Sequence, residues 1–130
     1  EAGRLAADHM STTLFLSSQS GKFAIQDLPK EVQYSPIYTI DKLDFNKDGK
    51  MDLLVCGNNS HTKIRLGKFD ANYGMLLAGD GKGNFSYVKQ SESGFNIWGD
   101  VRSCIQINDK IYFGVNSKNL IAYTISKKTK

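Results

Sequence analysis

The sequence predicts an all-β fold, and three observations carry that reading. Aliphatic, β-branched and aromatic residues come in short runs separated by clusters of Gly, Asn, Asp and Ser, the pattern of strands joined by turns. Twelve glycines stand against two prolines in 130 residues. No long amphipathic helical period runs through the chain, so nothing in it is suited to cover a sheet with helices. At 130 residues the chain can bury one core and is short for two domains. Its 23% of charged and 11% of aromatic residues are those of a folded chain.

Residues 1–9 read as a tag or vector remnant, because His9-Met10 resembles a cloning junction. Residues 10–28 then give a strand at 14–16, a turn at 17–21 and a strand opening with Lys22-Phe23-Ala24-Ile25. Residues 37–90 give strands at 38–43 and 52–56, a long connection at 58–73, a strand at 75–78, the turn Gly79-Asp80-Gly81-Lys82-Gly83-Asn84 and a strand at 85–88. Residues 99–126 give strands at 101–107, 111–115 and 120–125. Phe23 to Phe85 and Val55 to Val115 are both spaced by close to sixty residues. Paired hairpins returning at a fixed period mark a repeat architecture, and four strands per repeat predict β-propeller blades.

The most informative stretch is Asp44-Phe45-Asn46-Lys47-Asp48-Gly49-Lys50-Met51-Asp52, in which oxygen-bearing side chains recur at alternate positions. Calcium takes about six to eight oxygen ligands, so several carboxylates or amides must be brought round one point. Asp44, Asn46 and Asp48 supply the first side chains. Gly49 permits the positive-φ bend that turns the Lys50 carbonyl inward, and Asp52 closes the cage. An EF-hand would place Glu at the twelfth position and helices on either side; here that position is Val55 and the flanks are strand-like. The expected cofactor is therefore Ca2+ on a β-hairpin. The competing reading is an Asx-rich turn whose side chains bond only the backbone; Asp52 is the residue that such a turn does not require. In the last repeat, Asn108-Asp109 offers too few oxygens for a second cage.

The loop at 44–52, the strand after it and the run Leu76-Leu77-Ala78-Gly79-Asp80-Gly81-Lys82-Gly83-Asn84-Phe85 resemble the FG-GAP/VCBS repeats of integrin-α-like β-propellers. The segments 65–67 and 70–74 look like exported propellers of the Bacteroidetes type. The literal Gly-Ala-Pro of the repeat's name is missing. The resemblance implies a C-terminal propeller fragment of about two blades and part of another. It also implies a structural ion on one face, and ligand binding on the opposite face, where the loops 29–36, 58–71 and 91–98 gather.

Those loops carry the candidate ligand-face residues Tyr34, His61, Arg65, Asp70 and Trp98, with Lys63, Lys68 and Phe95 nearby. Aromatic rings and Arg suit a protein or glycan surface. The competing expectation is that Phe95 and Trp98 pack between blades and that Arg65 pairs with Asp70 to order its loop. No catalytic residues are assigned: His61 has no nucleophile and acid at a motif spacing, and the Gly79–Asn84 run opens no helix that could bind phosphate. The expected function is a non-catalytic, calcium-stabilised extracellular binding or scaffold module. The alternative is the accessory propeller of a carbohydrate-active enzyme such as a polysaccharide lyase or hydrolase.

The net charge of +4 owes much to Lys127, Lys128 and Lys130, a solvated end, so no nucleic-acid partner is expected. No apolar run reaches the roughly 20 residues of a membrane helix. A calcium loop lacking the high-affinity twelfth ligand suits millimolar calcium, which favours an extracellular, periplasmic or outer-membrane-attached location. Cys56 and Cys104 fall inside strands and read as small buried apolar residues more than as a disulfide. Missing blades, or a second copy of the chain, are expected to cover the exposed edges.

Overall fold

Residues 13–27 fold back on a five-residue turn, giving β1 (Thr13–Ser17) and β2 (Phe23–Asp27). The computed structural model describes residue 3 and residues 6–125. The tag expectation for residues 1–9 falls partly outside that range, as do the end of the last strand unit at 126 and the lysine-rich tail. A four-stranded meander follows, built from β3 (Ile37–Leu43), β4 (Asp52–Gly57), β5 (Met75–Gly79) and β6 (Phe85–Val88) in that spatial order. A three-stranded meander of β7 (Val101–Ile107), β8 (Lys110–Val115) and β9 (Ile121–Thr124) completes the described chain. All pairings are antiparallel, and none of the sheets closes into a barrel. Strand order and near-boundaries match the reading of the sequence. Two 3-10 turns, Lys30–Tyr34 and Ile64–Leu66, and one turn of helix, α1 (Gln90–Ser93), occupy connections that it left irregular.

The middle sheet is covered on both faces, which explains why β4 and β5 are nearly continuously apolar. Alternation along the strands sends Val55, Met75 and Leu77 to one side, where they meet Leu28, Val32 and Leu14. It sends Leu54, Cys56 and Leu76 to the other, against Val101, Ile111, Phe113, Phe95 and Ile97. Phe95 thus belongs to the core, as the packing alternative for it proposed. Its ring lies 6.0 Å from Phe113 and 5.3 Å from Tyr123.

Corresponding hairpins share their local geometry. The β1–β2 and β5–β6 turns each span five residues, with Ser18 N–H donating to the Lys22 carbonyl and Asp80 N–H to that of Asn84. The β3–β4 and β7–β8 pairs each carry a bulge one residue after the first strand begins, at Tyr38 and Arg102. These two residues meet, the guanidinium lying 3.9 Å over the tyrosine ring. On the first hairpin, Phe15 pairs with Ile25 on an exposed face that also carries Phe23. Strand β9 has only β8 as a neighbour among the described residues.

Both cysteines are free thiols. Cys56 is fully buried, while Cys104 is half-buried with its sulfur 3.4 Å from the Thr39 hydroxyl. Contact with Cys104, added to burial, pushes the Cys56 thiol well up. The same contact draws Cys104 down to about 7, against its burial and with help from Thr39. The opposite shifts are one interaction seen from its two ends: the sulfur that keeps the shared proton is raised and its acceptor is lowered.

Candidate functional site

At one end of the strands, the loop between β3 and β4 winds tightly because its side chains bond its own backbone. Asp44 accepts from the amides of Asp48 at 3.1 Å and Gly49 at 2.9 Å. Asn46 accepts from the Asp48 amide at 3.0 Å, and Asp48 from the Lys50 amide at 2.8 Å. Lys47 at φ 61 and Gly49 at φ 79 make the bend, Gly49 without a Cβ penalty. The Lys50 amide holds the Asp48 carboxyl below its usual 3.8; some desolvation opposes it, and the Asn46 amide and Lys50 ammonium assist. Three oxygen-bearing side chains therefore line one turn, with hard-donor chemistry suited to Ca2+.

Asp52 is placed differently. It is 1% exposed, with one carboxylate oxygen accepting from the Phe45 amide and the other from the Gly79 amide, both at 2.9 Å. Each oxygen keeps a further lone pair, so coordination by Asp52 is compatible with these bonds. Its evident work is to tie the loop to the start of β4 and the end of β5. Among the described residues no three His, Cys, Asp or Glu side chains converge on an ion by themselves. A cage here needs Asn46 and the Lys50 carbonyl beside the carboxylates. The neighbouring Asp80 turn closes on itself in the same Asx manner, through the Lys82 and Asn84 amides.

At the opposite end, the connections after β4, before β7 and after β8 enclose a cleft of about 280 Å³. Its lining includes His61, Asp70, Tyr73, Trp98, Asp100 and Lys118. Two buried asparagines organise the first of these loops. Asn58 donates to the carbonyls of Asn72 and Gly99 and accepts from the Asn72 amide. Asn72 in turn donates to Val55 and accepts from Gly74. A strand-like bridge between Asn59 and Phe69 closes the loop's base. Gly99, at φ 122, could carry no side chain, since a Cβ would lie 2.8 Å from Val115.

Asp100 forms the floor. Only 3% exposed, it accepts from the Ser60 amide at 3.0 and 3.1 Å and from the Ser60 hydroxyl at 3.0 Å, with His61 Nδ1 at 3.5 Å and Arg102 at 3.4 Å. Burial opposes its ionisation, but the Ser60 donors, His61 and Arg102 together outweigh burial and hold its carboxyl below the usual 3.8. A carboxyl lowered on folding contributes stability above its unfolded value, and that contribution is lost as the pH falls through the folded one. Acid unfolding below pH 3.8 should therefore be steeper in the native chain than in Asp100→Asn. Equal slopes would remove the ion-pair account of this floor.

His61, Asp70 and Trp98 were anticipated on this face, and the fold brings them together. Tyr34 and Arg65 lie outside the cleft. Arg65 and Asp70 make no ion pair among the described residues, contrary to expectation. The loop is ordered instead by main-chain bonds and the Asn58–Asn72 pair, which leaves both charges in solvent. Ser60, Tyr73, Asp100 and the β8–β9 turn were missed. The β8–β9 turn follows the second strand of its meander just as the 58–71 loop follows β4, so strand reversal alone places both at the same end. Ser60, His61 and Asp100 do not form a relay: both the serine and the histidine face the same carboxylate, and the hydroxyl meets the histidine at Nδ1. Comparison with family models, curated proteins and solved structures finds no match to this chain.

Proposed function

We propose that the chain is part of a calcium-stabilised, exported β-propeller of the FG-GAP/VCBS kind, serving as a non-catalytic binding or scaffold module for a protein or glycan ligand. The observation that carries this reading is the four-stranded meander covered on one face by a second antiparallel meander and on the other by Leu14 of the first hairpin with Leu28 and Val32 of the connection after it, the hairpins having matching turns and bulges. Such stacking is how propeller blades bury their faces. Asp44, Asn46, Asp48, Asp52 and the Lys50 carbonyl would hold the ion, which neutralises a carboxylate-rich turn at the end of the sheet opposite the cleft. Further blades, or a second copy, would cover the exposed Phe15, Phe23 and Ile25 face and the free side of β9.

Thermal melting in calcium and in excess chelator tests the module. A ligand that binds only the native state raises stability by about 2.7 kcal/mol at a hundred times its Kd. Calcium should raise the melting temperature of the native chain, and Asp48→Ala should remove that increment. Identical melting of the native chain in both buffers would defeat the calcium reading.

A further inference from the structure

We infer that the cleft beside Trp98 binds a saccharide, with a pyranose ring laid on the indole and its hydroxyls bonded to the polar rim. This rests on the reading that the cleft end is the ligand face. Trp98 is 59% exposed although it adjoins a well-packed core. Its ring is fixed edge-on against Tyr73 at a centroid distance of 4.7 Å. The main chain around it is pinned from three directions: Ile97 N–H donates to the Tyr73 carbonyl, Lys118 Nζ donates to the Trp98 carbonyl at 2.9 Å, and Asn58 donates to that of Gly99. The result is a rigid aromatic platform that loses little conformational entropy when it is covered.

The rim supplies what sugar hydroxyls need, since each hydroxyl both donates and accepts. Asp70 offers a carboxylate, His61 is largely exposed, Asn116 offers an amide, and Lys118 has donors left beyond its bond to Trp98. Acceptors and donors are mixed, and two lining carboxylates disfavour a simple anion. Asp100 is held in place by Ser60, His61 and Arg102, so the floor is stiff. The site is therefore built to hold a sugar.

Trp98 is the only tryptophan, so intrinsic emission reports on this platform alone. The intact chain is titrated with neutral, uronic-acid and amino-sugar oligosaccharides, and the hits are repeated by calorimetry on variants. The expected result is a saturable emission shift with at least one saccharide class. Trp98→Ala should then weaken binding at least about tenfold, and Trp98→Phe or Asp70→Ala by less. Melting temperatures of these surface variants should stay close to that of the native chain. Saccharide binding that survives Trp98→Ala overturns the inference, because the site then lies elsewhere. No emission shift up to millimolar saccharide overturns it too, and so does a protein ligand whose binding is lost in Trp98→Ala. If calcium still raises the melting temperature in those cases, the module reading stands; if it does not, both fail.

Discussion

Replacing Phe113 by alanine should lower the stability of the chain by about 4 kcal/mol, the usual range for emptying a buried aromatic site. Phe113 has no exposed surface and sits where β8 meets the middle sheet. Its ring packs edge-on to Phe95 at 6.0 Å and to Tyr123 at 5.9 Å. Truncation leaves those two rings and Leu54, Leu76 and Ile111 around a void that strands cannot collapse without breaking their ladders. A domain of this size is stable by roughly 5–15 kcal/mol, so a large share would be lost. Urea unfolding followed by circular dichroism should show a lower midpoint with an unchanged slope, and Phe113→Leu should lose far less. A loss under about 1 kcal/mol for the alanine variant would mean that the two sheets do not meet at this residue.

Asp52→Ala should cost roughly 3 kcal/mol even in the presence of chelator. Two charge-assisted bonds disappear, and the Phe45 and Gly79 amides are left facing an apolar methyl group. Asp52→Asn should recover only part of the loss, since one end of an amide is a donor and would confront a backbone N–H. The comparison that isolates this effect is Asp48→Ala in the same chelator. Asp48 accepts only within an exposed turn, and its removal should change stability by under about 0.5 kcal/mol there. Should the Asp52 and Asp48 variants prove equally mild without calcium, the tie between the loop and β5 would be wrong.

The contrast between those two aspartates shows what could be read from the chain and what could not. Alternating oxygens from Asp44 to Asp48 and the following glycine announced a tight turn with cation-binding chemistry, because that information is local. Asp52 looked like one more ligand. Its amide partner on Gly79 lies 27 residues away and arises only when β4 and β5 pair. The Arg65–Asp70 expectation failed for the same reason. Proximity in a loop suggested a pair, whereas the fold ordered that loop through Asn58 and Asn72, buried beneath it.

The sequence by itself determined the strands, their antiparallel order, the turns that join them and the two ends at which loops gather. These follow from short aliphatic, β-branched and aromatic runs, from turn residues at fixed positions, and from the chain reversal that each short connection imposes. Only the tertiary structure decided which sheet faces which, that Phe95 is core while Trp98 stays in solvent, and that Asp100 forms the floor of a cleft. Phe95 and Trp98 are both aromatic residues three positions apart in one irregular connection. No local propensity separates them. Their fates diverge because Phe113 and Tyr123 arrive from a later sheet to bury the first, while Tyr73 props the second from the side and leaves its face to water.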